Sequence, residues 1–206
     1  MHPNPVFHDK SRQECLEFAR TRAFGVLSVN GDNGPLLAHV PFLLSGDGAH
    51  ADLHLVRSNP IARALRTPLD SVIAVSGPDG YVSPDWYGIE DQVPTWNYSA
   101  VHLRGRLEVL PDDALRGVLE RQSEEFEARL APKPPWAMGK VSGDALARMM
   151  RMIQPVRLHV DAVDGTWKYS QNKSEDARIG AADGVSQGFG QDVAQLGDQM
   201  RRWRDR

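Results

Sequence analysis

Cysteine is almost missing: Cys15 is the single one in 206 residues. No internal disulfide can form, and a lone thiol fits a reducing compartment, so a cytoplasmic protein is expected. Cys15 stands beside Leu16 and Phe18 in a stretch that reads as helix, which predicts a small buried hydrophobe rather than a nucleophile. Long apolar runs are missing too. None approaches the roughly 20 residues that cross a bilayer. The opening "MHPNPVFHDK" lacks the basic-then-apolar pattern of a secretion signal, so no membrane partner is expected. Excess positive charge is absent, the formal net charge being −3. Phosphate neutralisation supplies most non-specific affinity for nucleic acid, so DNA is a partner that the charge does not support. The one dense basic cluster, "RRWRDR" at the C-terminus, is of a kind that helix ends collect to complement their dipole. Metal-binding spacing is absent as well. Of seven histidines, His50 and His54 are four apart, but on an expected strand, and no metal site is expected. No Ser-His-Asp order and no G-x-G-x-x-G after a strand are present, so no catalytic residue is assigned and enzyme status stays open.

What remains is an ordinary globular composition, 41% hydrophobic and 25% charged. One domain over 1–206 is expected, with a core at about 20–175 and a helical tail at about 176–206. Residues 11–22 read as a helix opened by a Ser11–Glu14 capping box. "FGVLSV", "PLLAHVPFLL" and "ADLHLV" read as a three-strand meander that curls into a barrel. A short helix at 59–66, the strand "SVIAVSG" and an irregular loop "PDGYVSPDWYGIEDQVP" follow. Trp86 and Tyr87 in that loop suit a lid or a dimer contact. Thr95–Leu110 reads as a long strand bent at Gly105, 112–130 as the best helix and 144–152 as a shorter one. "PVRLHVDAVDGTWKYS" reads as two strands around a turn at Asp164 and Gly165. The whole is α+β and mostly β, with a tail that is helical in pieces and broken at "GVSQGFG".

The segment "HLVRSNPIARALR" begins as a strand and continues as a helix. Asn59 or Ser58 caps a helix whose first turn holds Pro60, a position where a missing N–H costs nothing. Exposed amides and the dipole make such an end attractive to an anion. Arg57 stands just before it, and a guanidinium holds two phosphate oxygens at once. Arg57, Ser58 and Asn59 are therefore a candidate phosphate cradle; the plain alternative is a surface arginine beside an ordinary cap. "VPTWNY" places Thr95 and Asn97 on one side of a strand and Trp96 on the other. "KYSQNK" carries Lys168, Gln171, Asn172 and Lys173 without an acid; the plain reading is a solvated basic loop.

Taken in order, "FGVLSV", "LLAHVPFLL", "HLVRSNP", "GPDGYVSPDWY", "VPTWNYSAVHLRG" and "WKYSQNKSEDARIG" resemble the PaiB-type FMN-binding proteins, a family of negative transcriptional regulators. The likeness runs from about Phe24 to Gly180. It implies an FMN-binding split β-barrel of the pyridoxamine-phosphate-oxidase kind, with peripheral helices, and a homodimer with the flavin at the subunit interface. It implies that Ala38, His39, Val40 and Pro41 lie on the strand beneath the flavin ring, with His54 near it. Arg57, Ser58 and Asn59 would hold the phosphate. Thr95, Trp96, Asn97, Lys168, Gln171 and Asn172 would supply further contacts, a lysine near the pyrimidine side stabilising negative charge on the reduced ring. The function implied is negative regulation or redox sensing. The alternatives are a flavin-dependent oxidoreductase acting on a small molecule and a haem-binding split barrel with a histidine ligand.

Overall fold

Alternation of buried and exposed residues along the first strands decides which side chains face the core. The computed structural model describes residues 1–203, so the last three residues of "RRWRDR" lie outside the described residues. The elements are α1 Arg12–Arg22, β1 Phe24–Val29, β2 Leu36–Pro41, β3 Leu43–Leu44, β4 His50–Val56, α2 Pro60–Ala64, β5 Leu69–Val82 and β6 Thr95–Val109. They continue with α3 Ala114–Ala128, α4 Gly143–Arg151, β7 Ile153–Lys168, α5 Glu175–Val185, β8 Gly190–Gln191 and α6 Val193–Arg202. The ladder order is β2-β1-β5-β6-β7-β4-β3, with β8 added on β5. No described helix is long and apolar enough to cross a membrane.

The chain forms two compact units, neither continuous in sequence: residues 1–15, 75–102 and 164–206, and residues 16–74 and 103–163. Because β5, β6 and β7 each run through the division, no linker marks it in the sequence.

In the larger unit β1 pairs with β2 from Phe24↔Pro41 to Val29↔Leu36, and Val26↔Ala74 to Val29↔Ser71 join β1 to β5. The expected meander is corrected here. The stretch read as one second strand breaks at Phe42, whose amide bonds to Ala23 O, and β3 and β4 pair with each other at the far end of the ladder path. β4 pairs with β7 from His50↔His159 to Val56↔Ile153. Across that ladder Arg157 grips Asp52 with two bonds, Nε to Oδ1 at 2.6 Å and Nη2 to Oδ2 at 2.9 Å, and Arg121 of α3 adds a third at 3.0 Å. Asp52 is buried, so its charge is tolerable only because these donors surround it. α3 buries Leu115, Val118 and Gln122 at helical spacing. After it, Arg129 donates to Thr21 O and Arg20 O, capping the open carbonyls at the end of α1.

In the smaller unit the capping box forms as expected: Ser11 N donates to Glu14 Oε2 at 2.9 Å, and Glu14 N to Ser11 Oγ at 3.3 Å. Two expectations fail for one reason each. The stretch 78–82 is not loop but the end of β5, because residues 190–191 pair with Asp79 and Gly80. Local reading cannot see a strand partner supplied more than a hundred residues later. Asp164 and Gly165 make no turn either; β7 runs straight through them. Gly165 is required by close approach, since a Cβ there would lie 2.6 Å from Cys15 Sγ and 2.3 Å from the Trp167 ring. Cys15 is buried, as its neighbours implied.

The tail belongs to this unit. α5 buries Ala177, Ala181, Ala182 and Val185, and α6 buries Leu196 and Met200. Trp86, on a 3-10 turn at Pro84–Tyr87, lies so close to α5 that a Cβ at Gly184 would meet its ring at 2.2 Å. Trp86 is thus packed against a helix rather than carried on an open lid. The glycine-rich stretch supplies β8 and Phe189, whose ring stacks on Tyr81 with centroids 5.4 Å apart.

Candidate functional site

Within the smaller unit, β6, the end of β7 and the turn after it enclose a cavity of about 270 Å³. Thr95, Asn97, Lys168 and Asn172 line it, together with Ser170 and Lys173. Strand alternation explains half of this: Thr95 and Asn97 share one face of β6, and Trp96, on the other, is 43% exposed in an edge-to-face contact with Phe189.

Lys168 Nζ donates to Thr95 Oγ1 and to Trp96 O, the latter at 2.6 Å, and Lys173 Nζ donates to Gln92 Oε1. Neither ammonium has an ion-pair partner among the described residues, although Asp91 is also on the wall. Burial, then the charge of Lys173, holds the Lys168 amine below the ordinary lysine range. Two crowded, unpaired cations favour an anion or an electron-rich acceptor beside them.

Asn97 is fully buried. Its Nδ2 donates to Ser170 Oγ at 2.9 Å and to Met200 Sδ at 3.4 Å, while its Oδ1 has no partner among the described residues. Ser170 also meets Tyr87 OH at 2.8 Å. Ser170 takes φ +62°, a left-handed conformation that a serine adopts at some cost. Burial, partly opposed by that bond to Ser170, pushes the Tyr87 phenol up, so it stays protonated and able to donate. The cavity therefore offers donors at Lys168, Lys173 and Asn172 and one unsatisfied buried acceptor at Asn97.

Gln171 is not on this wall. Its Nε2 donates to Trp167 O at 2.5 Å and Val6 O at 3.2 Å, and its Oε1 accepts from Tyr169 N at 2.8 Å. That leaves it to brace the turn. His2, Asn4 and Phe7 do line the cavity, and sequence reading missed them. No periodicity links residues 2–7 to residues 95 and 168; only the fold does.

The remaining candidates lie in the larger unit. Ala38 and Val40 point into its core, while His39 between them is exposed, its ring 6.4 Å from that of Phe24. Ala38 and Val40 thus have only backbone to offer a ligand on the outer face, and Pro41 is half-buried. His54 Nδ1 meets Gln122 Oε1 at 3.2 Å, and Gln122 donates to Asp52 O. At the Arg57 corner the cap is as expected: Asn59 Oδ1 accepts from Ile61 N at 2.9 Å, with Pro60 in the first turn. That cap occupies the amide which an anion would use, and α2 is only five residues long. Of the amides around this corner, the cap takes that of Ile61. Arg57 itself is 42% exposed at the side chain; Nη2 pairs with Asp112 at 2.7 Å and Nε donates to Arg151 O at 3.2 Å. Two of the five N–H donors of a guanidinium are so engaged.

Several known proteins are similar to this chain. It is 29% identical over 171 residues to "Protease synthase and sporulation protein PAI 2" of Bacillus subtilis, a match covering 82% of this chain and 81% of that protein. It is 26% identical to an uncharacterized protein of Aspergillus fumigatus, over 88% of this chain and 92% of that one. Among solved structures, the FAD and heme binding protein from Mycobacterium smegmatis superposes with a TM-score of 0.57 at 19% identity, covering 88% of this chain and 80% of its own. The flavocytochrome Anf3 from Azotobacter vinelandii gives 0.54 at 13% identity, over 81% and 73%. These likenesses place the chain in the split-barrel fold. Residues 1–162 match the family described as "Putative FMN-binding domain". The chain belongs to this family of FMN-binding domains, and FMN is the cofactor that goes with it.

Proposed function

We propose that the protein is a redox-responsive flavoprotein that receives the pyrimidine edge of FMN in the cavity of Lys168 and Asn97. The observation that carries this reading is Asn97 Oδ1, without a partner among the described residues, in the lining of a cavity that also carries the ammonium groups of Lys168 and Lys173. A phosphate presents acceptors and negative charge, and would leave that oxygen both unpaired and repelled. A flavin's pyrimidine edge presents an N–H between two carbonyls. The N–H suits Asn97 Oδ1, and the carbonyls suit the donors of Lys168, Asn172 and Lys173. The residues present therefore fit the cofactor of the family.

Bound FMN supplies electron transfer, and reduction adds negative charge on the pyrimidine side of the ring. Lys168 would oppose that charge, which would favour the reduced form. Arg57 is proposed separately as a phosphate contact, through its guanidinium alone. A homodimer and a cytoplasmic location belong to the same reading, the dimer supported by apolar side chains left outside the larger unit's core, such as Phe24 and Leu37. Regulation is then a consequence of flavin state; a net charge of −3 gives little support to autonomous DNA binding.

The test is titration of purified protein, stripped of small molecules, with FMN. Saturable binding with a shifted flavin spectrum is expected, and absence of binding overturns the proposal.

A further inference from the structure

One wall of the cavity is built by the first residues of the chain. Asn4 caps a 3-10 turn at Pro5–Phe7, its Oδ1 accepting from Val6 N at 3.1 Å. Phe7 is buried and anchors the strap, and Gln171 Nε2 donates to Val6 O from the turn after β7. His8 adds a further tie, its Nδ1 donating to Gly165 O at 2.6 Å, and its Nε2 lies against His2 O. These contacts hold His2 at the cavity rather than leaving it in solvent.

The strap also fixes the chemistry of His2. Its Nδ1 accepts from Asn4 N at 3.1 Å, and its ring packs edge-on against Phe7 with centroids 4.7 Å apart. A ring nitrogen that accepts carries no proton, so neutral His2 has its hydrogen on Nε2. That N–H is a donor without a partner among the described residues, on the wall that also carries Lys168 and Lys173. Burial, and then Lys168 and His8, hold the imidazole below the ordinary histidine range, so it stays neutral.

We infer that His2, presented by this strap, is a further ligand-binding residue that donates its Nε2–H to a carbonyl oxygen of the bound flavin ring. The inference rests on the placement of FMN proposed above. It makes the strap part of the binding site and adds a neutral donor to the charged ones.

The experiment compares FMN and riboflavin binding to the full chain and to His2→Ala, His2→Gln and Lys168→Gln. A hydrogen bond of this kind is worth about threefold to tenfold in affinity. His2→Ala is expected to weaken both flavins by that factor, and His2→Gln, which keeps an N–H donor, to recover most of it. An unchanged melting temperature shows that the strap stays seated. Lys168→Gln weakening both flavins while His2→Ala matches wild type overturns this inference and leaves the placement standing. Loss of FMN alone in His2→Ala also overturns it, since the contact would then be to phosphate. If neither Lys168→Gln nor His2→Ala affects either flavin, the placement falls and the inference with it.

Discussion

Replacing Asn97 by leucine separates stability from binding. The two side chains share a branched four-atom skeleton, and Asn97 borders the cavity, so the added volume has somewhere to go. Leucine loses the bond from Nδ2 to Ser170 Oγ at 2.9 Å, worth about 1 kcal/mol, and the weaker one to Met200 Sδ, worth less. Ser170 keeps its bond to Tyr87. Against this, leucine removes a buried acceptor with no partner, whose desolvation costs about 1–3 kcal/mol. The two sides nearly cancel, so the flavin-free variant is expected within about 1 kcal/mol of wild type, or within about 4 °C in melting temperature for a chain of this size. FMN affinity is expected to fall about threefold to tenfold, because the acceptor for the ring N–H is gone. Thermal melts of the flavin-free protein and equilibrium titration measure the two halves. A melting temperature lower by more than about 8 °C would show that Oδ1 is already satisfied without flavin, and the reasoning would fail.

Two further predictions concern the larger unit. Arg57→Ala is expected to weaken FMN about tenfold to a hundredfold while leaving riboflavin unchanged, and equal losses in paired titrations would remove its phosphate role. Its pair with Asp112 is exposed, at 42% and 73%, so the same change should cost less than about 1 kcal/mol of stability. Asp52→Asn is expected to destabilise the protein by about 3 kcal/mol, the lower end for a broken buried pair, because Arg157 and Arg121 are partly in solvent. Burial opposes ionisation of Asp52, but the hydrogen bonds and charge of Arg157, helped by Arg121, outweigh it and hold the carboxyl below its ordinary range. A folded value below the unfolded one means stability present above about pH 4 and lost as pH falls further. Urea melts across that window should show a smaller loss in Asp52→Asn than in wild type; parallel curves would refute the assignment.

Sequence carried the local features well and the distant ones poorly. The Ser11–Glu14 box and the Asn59–Pro60 cap depend on residues within a turn of each other, and both formed as read; α3 formed too, though it stops at Ala128, short of the expected residue 130. Thr95 and Asn97 were legible as one face of a strand, and "KYSQNK" as basic residues lacking an acid, so much of the cavity was visible in outline. The continuation of β5 through Pro78 was not, because its partner is Gly190–Gln191. Gly165 read as a turn because its glycine suggested one, when the packing of Cys15 and Trp167 is what demands it. At the Arg57 corner the cap was legible as well, and it engages the Ile61 amide that a local reading would leave open to an anion. His2 was beyond reach, since nothing near it in sequence marks a site.

The most direct measurement is paired titration of wild type and Lys168→Gln with FMN and with riboflavin. The variant is expected to weaken both flavins by the same factor, about tenfold or more for a lost charge-assisted bond to the ring. Binding unchanged for both, or lost for FMN alone, would place the ring elsewhere and contradict the proposal.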